Sequence, residues 1–590
     1  MSKQQIPAAS ANPVVPVAPV APVAPVAPVA PVAPATARRS RARRRTGSAL
    51  AAAAVLVLAG PLGVGASAAQ AHADHDHDHD RADHAALAAP SGSAYLNGLG
   101  QEQWTTAAVA PGVRVSTVTI KNAASTPFWT VTLQQPTTSV ITGGPTNAEV
   151  ASQSWAQDTA TQLQAHGFQA RVEAVQWPAG YSDTPHGLMG YRVRVGQFPT
   201  QAAAGPQLAA VKAAGFTAFS QWTGYDTQTP ADVENIHVAV INPRSFGGTV
   251  EATHAGNVAQ RLTTSSVAAQ LGSLVGVNGG FFITSNNDGV QGTMSGLGVY
   301  DGKLESLSSG SRGALVIEDG GQRFQVANLA SSASVRSGAA VEQIQGVNRV
   351  PGLVRDCGRT GAVPTTHPVQ DITCTEADDL VLFTPEFVAA LPTGAGTQVV
   401  LDADGKVVSV GARGGSVPAG GSVLQGLGAA ATWLTAHATV GHRLAVSESV
   451  VDASTGRRLR LGAGDSVASA APVLVRDGRI AVDAATEGVV DPRDLSYNYQ
   501  WANARQPRTI AGIDARGNLL LVTVDGRLTA GSEGFTLFEE AEFMRTLGAV
   551  QALNLDGGGS SAMAVNGKLV NNTSDATGER PVGDTIQILP

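Results

Sequence analysis

Along most of this chain apolar and polar residues alternate in short runs broken by Gly, Pro, Asn and Asp. Only a few stretches carry the 3.6-residue spacing of an amphipathic helix. The first cluster of elements begins at Phe128-Trp-Thr-Val-Thr-Leu133, which alternates as a half-buried strand does. Asn147 then precedes a helical stretch with Val150, Ala151, Trp155, Thr159, Leu163 and His166 near one face, and Gly167 stops it. Residues 168–175 and 190–195 alternate again, residues 202–214 read as a helix closed by Gly215, and residues 216–219 as a last strand. The predicted order is βαββαβ, a module within residues 120–228.

From residue 232 to residue 590 the pattern changes to many short strands with Gly, Asn and Asp turns. Leu519-Leu-Leu-Val-Thr-Val-Asp525 is apolar enough for a central strand. Thr536-Leu-Phe-Glu539 is a capping box, and Phe538, Ala541, Met544 and Leu547 follow at helical spacing until Gly548. Residues 550–555 read as a strand, Asn566-Gly567 as a hairpin turn between residues 562–565 and 568–570, and residues 585–589 as the final strand. The prediction is an α+β chain whose C-terminal domain is β-rich.

Composition matters most before residue 120. Val-Ala-Pro repeats between Pro13 and Pro34 fix φ and remove backbone donors, so residues 1–48 are expected to form a disordered Pro/Val/Ala-rich and basic leader. The basic cluster from Arg38 to Arg45, the apolar run within residues 49–71 and the small residues after it follow the order of a secretory signal. Ala66-Ser67-Ala68 and Ala69-Gln70-Ala71 are the candidate cleavage sites. An uncleaved anchor is the rival, but the apolar run includes Gly60, Pro61 and Gly63 and falls short of the roughly 20 residues a spanning helix needs, so no permanent span is expected. His72-Ala-Asp-His-Asp-His-Asp-His-Asp would open the exported chain. Its imidazoles and carboxylates can chelate Zn or Ni without fixed geometry, although a solvated tail is the plainer reading; residues 72–119 are expected to be tail and linker.

The net charge of −7 changes the picture further, because residues 1–71 hold seven basic residues and no acid, which leaves −14 on the remainder. A body that acidic is a poor binder of nucleic acid through phosphate neutralisation. Cys357 and Cys374 are the only cysteines, and in an exported, loop-like stretch they predict one disulfide.

Four segments carry candidate chemistry. Asn278, with Gly279 and Gly280, ends an apolar strand and places one polar side chain beside freely turning backbone. Arg508 and Thr509 stand at the mouth of another, where a guanidinium fork can grip phosphate. Asp556-Gly-Gly-Gly-Ser-Ser561 follows a strand; consecutive amides of Gly557, Gly558, Gly559 and Ser560 can form an anion nest, with Ser561 beside it and Asp556 placed to work on a sugar. Glu579-Arg580 precedes the final strand.

Taken in order, Asn-Gly-Gly-Phe-Phe, Pro-Arg-Thr, Leu-Leu-Leu-Val-Thr-Val-Asp-Gly-Arg, Asn-Leu-Asp-Gly-Gly-Gly-Ser-Ser, Val-Asn-Gly-Lys and Glu-Arg-Pro-Val resemble the phosphodiester glycosidase family, over residues 232–590. The resemblance implies an α+β fold and hydrolysis of a sugar 1-phosphodiester, with an N-acetylglucosamine-like sugar. Ser469-Ala-Ala-Pro472 stands where that family usually has Gly-Gly-Gly-Pro, and residues 340–377 also depart from it. Tyr191-Arg-Val-Arg-Val-Gly-Gln-Phe-Pro199, followed by an Ala-rich helix and Gly215-Phe216, resembles the SPOR domain. That likeness implies binding to peptidoglycan glycan strands and a secreted, extracellular or wall-associated protein. Trp129, Trp177, Tyr191 and Phe198 are candidates to lie on sugar faces or in the core.

The leaving group of a sugar 1-phosphodiester is a phosphate monoester, which departs without strong proton donation. Arg508 and the glycine-loop amides are therefore assigned to its charge, Asp556 or Glu579 to water or the anomeric centre, and Asn278 and Arg580 to orientation. No cofactor is required by this scheme; a Ca or Mg ion could join Asp556 to the phosphate, and no metal ligand set is readable. Two alternatives stay open: a non-catalytic wall-binding or envelope-assembly protein, and a phosphodiesterase cutting on the other side of phosphorus.

Overall fold

The computed structural model describes residues 100–226, 231–358, 363–529 and 531–590. The leader, the signal segment with both cleavage candidates and the His/Asp-rich stretch lie outside the described residues. The chain is α+β and rich in antiparallel sheet, and no helix among the described residues is long and apolar enough to cross a membrane.

The small module has the predicted order: Trp129–Leu133, Gln153–Ala165, Ala170–Gln176, Leu188–Phe198, Gln201–Ala213 and Ala218–Trp222. Its helices bury Ala156, Leu163 and Val211 on Val131, Leu133, Val193 and Val195 of one sheet face. Asn147 does not open the first helix. It pairs with Pro136 in a short hairpin, and Ser152 caps instead, its hydroxyl accepting the Trp155 N–H at 3.2 Å. Arg192 and Arg194 alternate with the apolar residues of their strand and are buried against Glu173 and Asp226. Of the aromatics offered for sugar, Trp177 belongs to the main core, Trp129 packs on Trp222 at 5.8 Å, and Tyr191 and Phe198 are half-buried.

The C-terminal domain is organised around an eight-stranded sheet, in the order Gln101–Ala110, Val113–Lys121, Val233–Ile241, Leu519–Val524, Arg508–Asp514, Ala549–Asn554, Val473–Arg476, Arg479–Ile480. Its first two strands lie in the stretch expected to be linker. Val113-Arg-Val-Ser-Thr-Val-Thr-Ile-Lys121 alternates well, but its partner begins at Val233, beyond the whole module. A second sheet holds Thr249–Thr253, Thr585–Leu589, Val275–Asn278, Met563–Val565 and Lys568–Leu569. Asn566 and Gly567 both have positive φ, the geometry of a tight hairpin turn. Thr536 and Glu539 exchange both capping-box hydrogen bonds at the start of helix Leu537–Thr546.

Register decides where the chemistry gathers. Arg508 pairs with Val524 and Ile510 with Asn554, while Asn278 ends the neighbouring sheet's strand. Four candidate strand ends therefore open at one end of the fold.

Candidate active site

Asn278, fully buried, rivets these ends together. Its amide nitrogen donates to the Asp556 carbonyl at 2.7 Å, and its Oδ1 accepts from Thr509 Oγ1 at 2.6 Å and from the Ala562 N–H at 3.1 Å. Asn278 and Thr509 are thus committed to each other and to the loop. The Asp556 N–H also donates to the Gly279 carbonyl at 3.0 Å. A Cβ on Gly279 would overlap the Asp584 carboxylate, and one on Gly280 the Ser469 carbonyl, so both glycines are required by close approach. Asp584 accepts from the Gly280 N–H and from Tyr300, and burial pushes it up to about 6.

Asp556 retains partial access to solvent, yet it is packed densely enough that burial pushes its carboxyl up to about 7. The Ser560 hydroxyl, Arg580 and the Gly557 N–H pull it down, and Asp371 pushes it up. The anion nest does not form as expected. The Gly557 N–H donates to Asp556 Oδ1 at 2.9 Å, the Gly558 N–H to the Pro507 carbonyl at 2.8 Å and the Ser560 N–H to the Gly557 carbonyl at 3.1 Å. Three of the four amides expected to face an anion, those of Gly557, Gly558 and Ser560, are therefore taken by Asp556, Pro507 and the Gly558–Ser560 turn, and the Ser561 N–H donates back to Gly558.

Positive charge comes from side chains instead. Arg508 is completely buried: Nε donates to the Phe535 carbonyl at 2.8 Å, Nη2 to the Trp501 carbonyl at 2.7 Å, and Trp501 stacks at 5.2 Å. Its ion-pair partner Glu540 lies 2.9 Å away, and burial pushes that carboxyl up to about 8. Arg508 therefore charges the loop from behind, because backbone carbonyls take two of its donor groups. The exposed guanidinium is Arg527, whose Nη2 would stand 3.3 Å from a Cβ on Gly558. Its Nε donates to Gln506 Oε1 at 2.5 Å, and burial together with Arg508 and Arg580 holds its pKa below the usual value. Arg580 crosses Gly559 and makes a two-point pair with Asp575 at 2.8 and 2.9 Å.

Glu579 faces another way. One oxygen accepts the Ser265 N–H at 2.8 Å and the other the Ser265 hydroxyl, at the first turn of helix Thr264–Leu271. This helix-start contact explains the carboxylate without a catalytic role. Cys357 and Cys374 form the expected disulfide, and beyond Asp371 the closed loop is tied by Arg355, which pairs with Asp371 at 2.8 Å and Asp288 at 3.1 Å. Ser469-Ala-Ala-Pro472 lies directly behind Gly280, with the Ala471 carbonyl accepting from Asn554. Among the described residues no group of three or more His, Cys, Asp or Glu side chains could hold a metal.

Comparison with known proteins matches this end of the molecule. The phosphodiester glycosidase family model covers residues 395–589 and the SPOR domain model residues 148–222. A solved Burkholderia pseudomallei protein, described as a candidate exported protein, is 34% identical with a TM-score of 0.70, and the alignment covers 83% of this chain and 97% of that one. The C-terminal part of the chain is a phosphodiester glycosidase domain. Its glycosidase domain is also similar to mouse N-acetylglucosamine-1-phosphodiester alpha-N-acetylglucosaminidase, 35% identical over 103 residues, 17% of this chain and 20% of that protein. An uncharacterized SPbeta prophage-derived protein of Bacillus subtilis is 43% identical over 90 residues, 15% of this chain and 14% of that protein. The chain thus spans a fifth or less of these curated relatives.

Three residues of this candidate site were missed from sequence. Arg527 stood inside a quoted motif without a role of its own, and its φ of +58° is a turn conformation. Asp371 lies in the segment that departs from the family, and Asp575 in a polar loop without pattern. Only Arg527, as a basic residue directly after an apolar strand and a glycine, carried a usable signal.

Proposed function

We propose that this protein hydrolyses a sugar 1-phosphodiester in a glycan or wall polymer, releasing a free N-acetylglucosamine-like sugar and leaving a phosphomonoester. The observation that carries the reading is Asp556: a carboxyl pushed up to about 7, at the head of a glycine turn ringed by Arg508, Arg527 and Arg580. A carboxyl with that proton affinity exchanges protons near neutral pH, as a base for water or as a partner of the anomeric centre requires. Asp575 pairs with Arg580, Glu540 with Arg508 and Asp371 with Arg355, so the Arg527 guanidinium, without an ion-pair partner of its own among the described residues, leaves positive charge for the departing phosphate. Arg527 contacts it, Arg580 positions it and Arg508 adds field from behind. The SPOR domain holds the enzyme on exported wall material.

The test is product analysis with methyl and oligosaccharide esters of N-acetylglucosamine 1-phosphate. Free sugar plus phosphomonoester supports the assignment and Asp556→Asn abolishes it. Sugar 1-phosphate as product, or no turnover by the intact chain, overturns it.

A further inference from the structure

The SPOR domain meets the glycosidase domain at the candidate site. The chain leaves the module at Asp226 and re-enters the central sheet in strand Val233–Ile241, where Ile236 pairs with Val524, at the same end as Arg508. Arg505, three residues before Arg508, is buried in that junction. Its backbone N–H donates to the Tyr225 carbonyl at 2.8 Å, and Nη1 donates to the carbonyls of Gly224 at 2.8 Å and Asp226 at 2.9 Å. Trp222 donates its indole N–H to Glu533 at 2.7 Å.

Tyr225 extends this junction to the rim. Its hydroxyl lies 3.1 Å from Thr529 Oγ1, and Thr529 shares with Arg527 the turn closed by Leu528 N–H donating to Ser532 at 3.0 Å. Arg527 and Thr529 are exposed and Tyr225 is half-buried. Arg527 lowers the proton affinity of the Tyr225 phenol, although burial wins and raises it overall. An aromatic ring with a polar tip beside an exposed guanidinium suits a sugar ring or polyol carrying a phosphodiester.

We propose that Tyr225, in the turn directly after the SPOR domain, and Arg527 of the glycosidase domain form one subsite, which binds the carbohydrate chain on the far side of the phosphorus from the sugar released. The proposal rests on the phosphodiester reading of Asp556 and adds that the module shapes the catalytic site. A long substrate then runs from Asp556 past Arg527 onto Tyr225.

The experiment uses the full chain carrying Asp556→Asn, so that ligands are bound without turnover. Calorimetry compares the methyl ester of N-acetylglucosamine 1-phosphate with an oligosaccharide ester of the same sugar phosphate. Adding Tyr225→Ala is expected to weaken the long probe about tenfold more than the short one, and Tyr225→Phe to lie between, since the ring remains. Equal weakening of both probes by Tyr225→Ala, or no weakening of either, overturns the subsite while leaving the phosphodiester reading intact. Failure of both probes to bind the Asp556→Asn chain, together with no sugar release by the unmutated chain, overturns that reading and the subsite with it.

Discussion

Asp556→Asn is expected to stabilise the protein at neutral pH while removing its activity, and the size of the effect follows from the carboxyl's surroundings. Burial takes Asp556 from its ordinary 3.8 up to about 7. Between those values the unfolded chain releases the proton and the folded chain keeps it, so stability declines as pH rises through this window and levels off above it. The full gap corresponds to roughly 4 kcal/mol, and partial access to solvent makes that an upper figure. Of this, roughly 2 kcal/mol falls between pH 5.5 and 8. Asparagine keeps an acceptor for the Gly557 N–H, which donates to Oδ1 at 2.9 Å, and does not titrate. Denaturant unfolding of both proteins at several pH values should show the difference in stability growing by up to about 2 kcal/mol over that interval, then flattening. A difference that stays constant with pH, or shrinks as pH rises, would refute the claim that the folded protein holds a proton on Asp556.

Other consequences can be measured alongside it. Arg527→Gln should lower kcat/KM on the methyl ester by roughly 100-fold or more, as removal of a group facing developing charge does, and a loss below threefold would exclude contact with the phosphate. Asp371→Asn removes a negative neighbour and should lower the Asp556 pKa, shifting the acidic limb of the pH–rate profile downward; an unmoved limb would separate the two carboxyls. Glu579→Gln should cost about 1 kcal/mol in unfolding, because its oxygens serve the start of helix Thr264–Leu271, and a 100-fold loss of kcat at unchanged stability would restore it to the chemistry. Gly224→Ala places a Cβ inside the Glu533 carboxylate, so amide hydrogen exchange should rise across residues 222–226 by the equivalent of about 1–3 kcal/mol. Exchange equal to the unmutated chain would mean the junction yields at no cost.

What could be read from the sequence was local. The order of the module's strands and helices, the Thr536 capping box and the Asn566-Gly567 turn depend on residues a few positions apart and appear as pattern and cap chemistry place them, except that the first module helix starts at Gln153 behind Ser152 and not at Asn147. What failed depended on distant partners. Strand Val113–Lys121 alternates clearly, but nothing nearby announces that it pairs with Val233–Ile241. Arg508 was assigned by the chemistry of its free guanidinium, and only the fold shows that Phe535 and Trp501 carbonyls claim its donors. The glycine run likewise suggested free amides, and only the fold shows that Asp556 and the distant Pro507 carbonyl take those of Gly557 and Gly558. Asp556 was legible because a carboxylate before three glycines at a strand end has few structural purposes. Its altered proton affinity was not, since that property belongs to the surrounding core.

The pairing of Lys121 with Val233 sets how the molecule bears load. The SPOR domain leaves the central sheet from one of these adjacent strands and returns through the other, at the same end. Under the proposed wall attachment, tension applied through the module draws on two neighbouring strands together, along their length. Nine paired positions from Val113 with Ile241 to Lys121 with Val233 resist as a unit, and the next register, from Val233–Ile241 to Leu519–Val524, passes the force into the centre of the sheet. Under such a load the glycosidase domain would be pulled in shear instead of being peeled open from an edge.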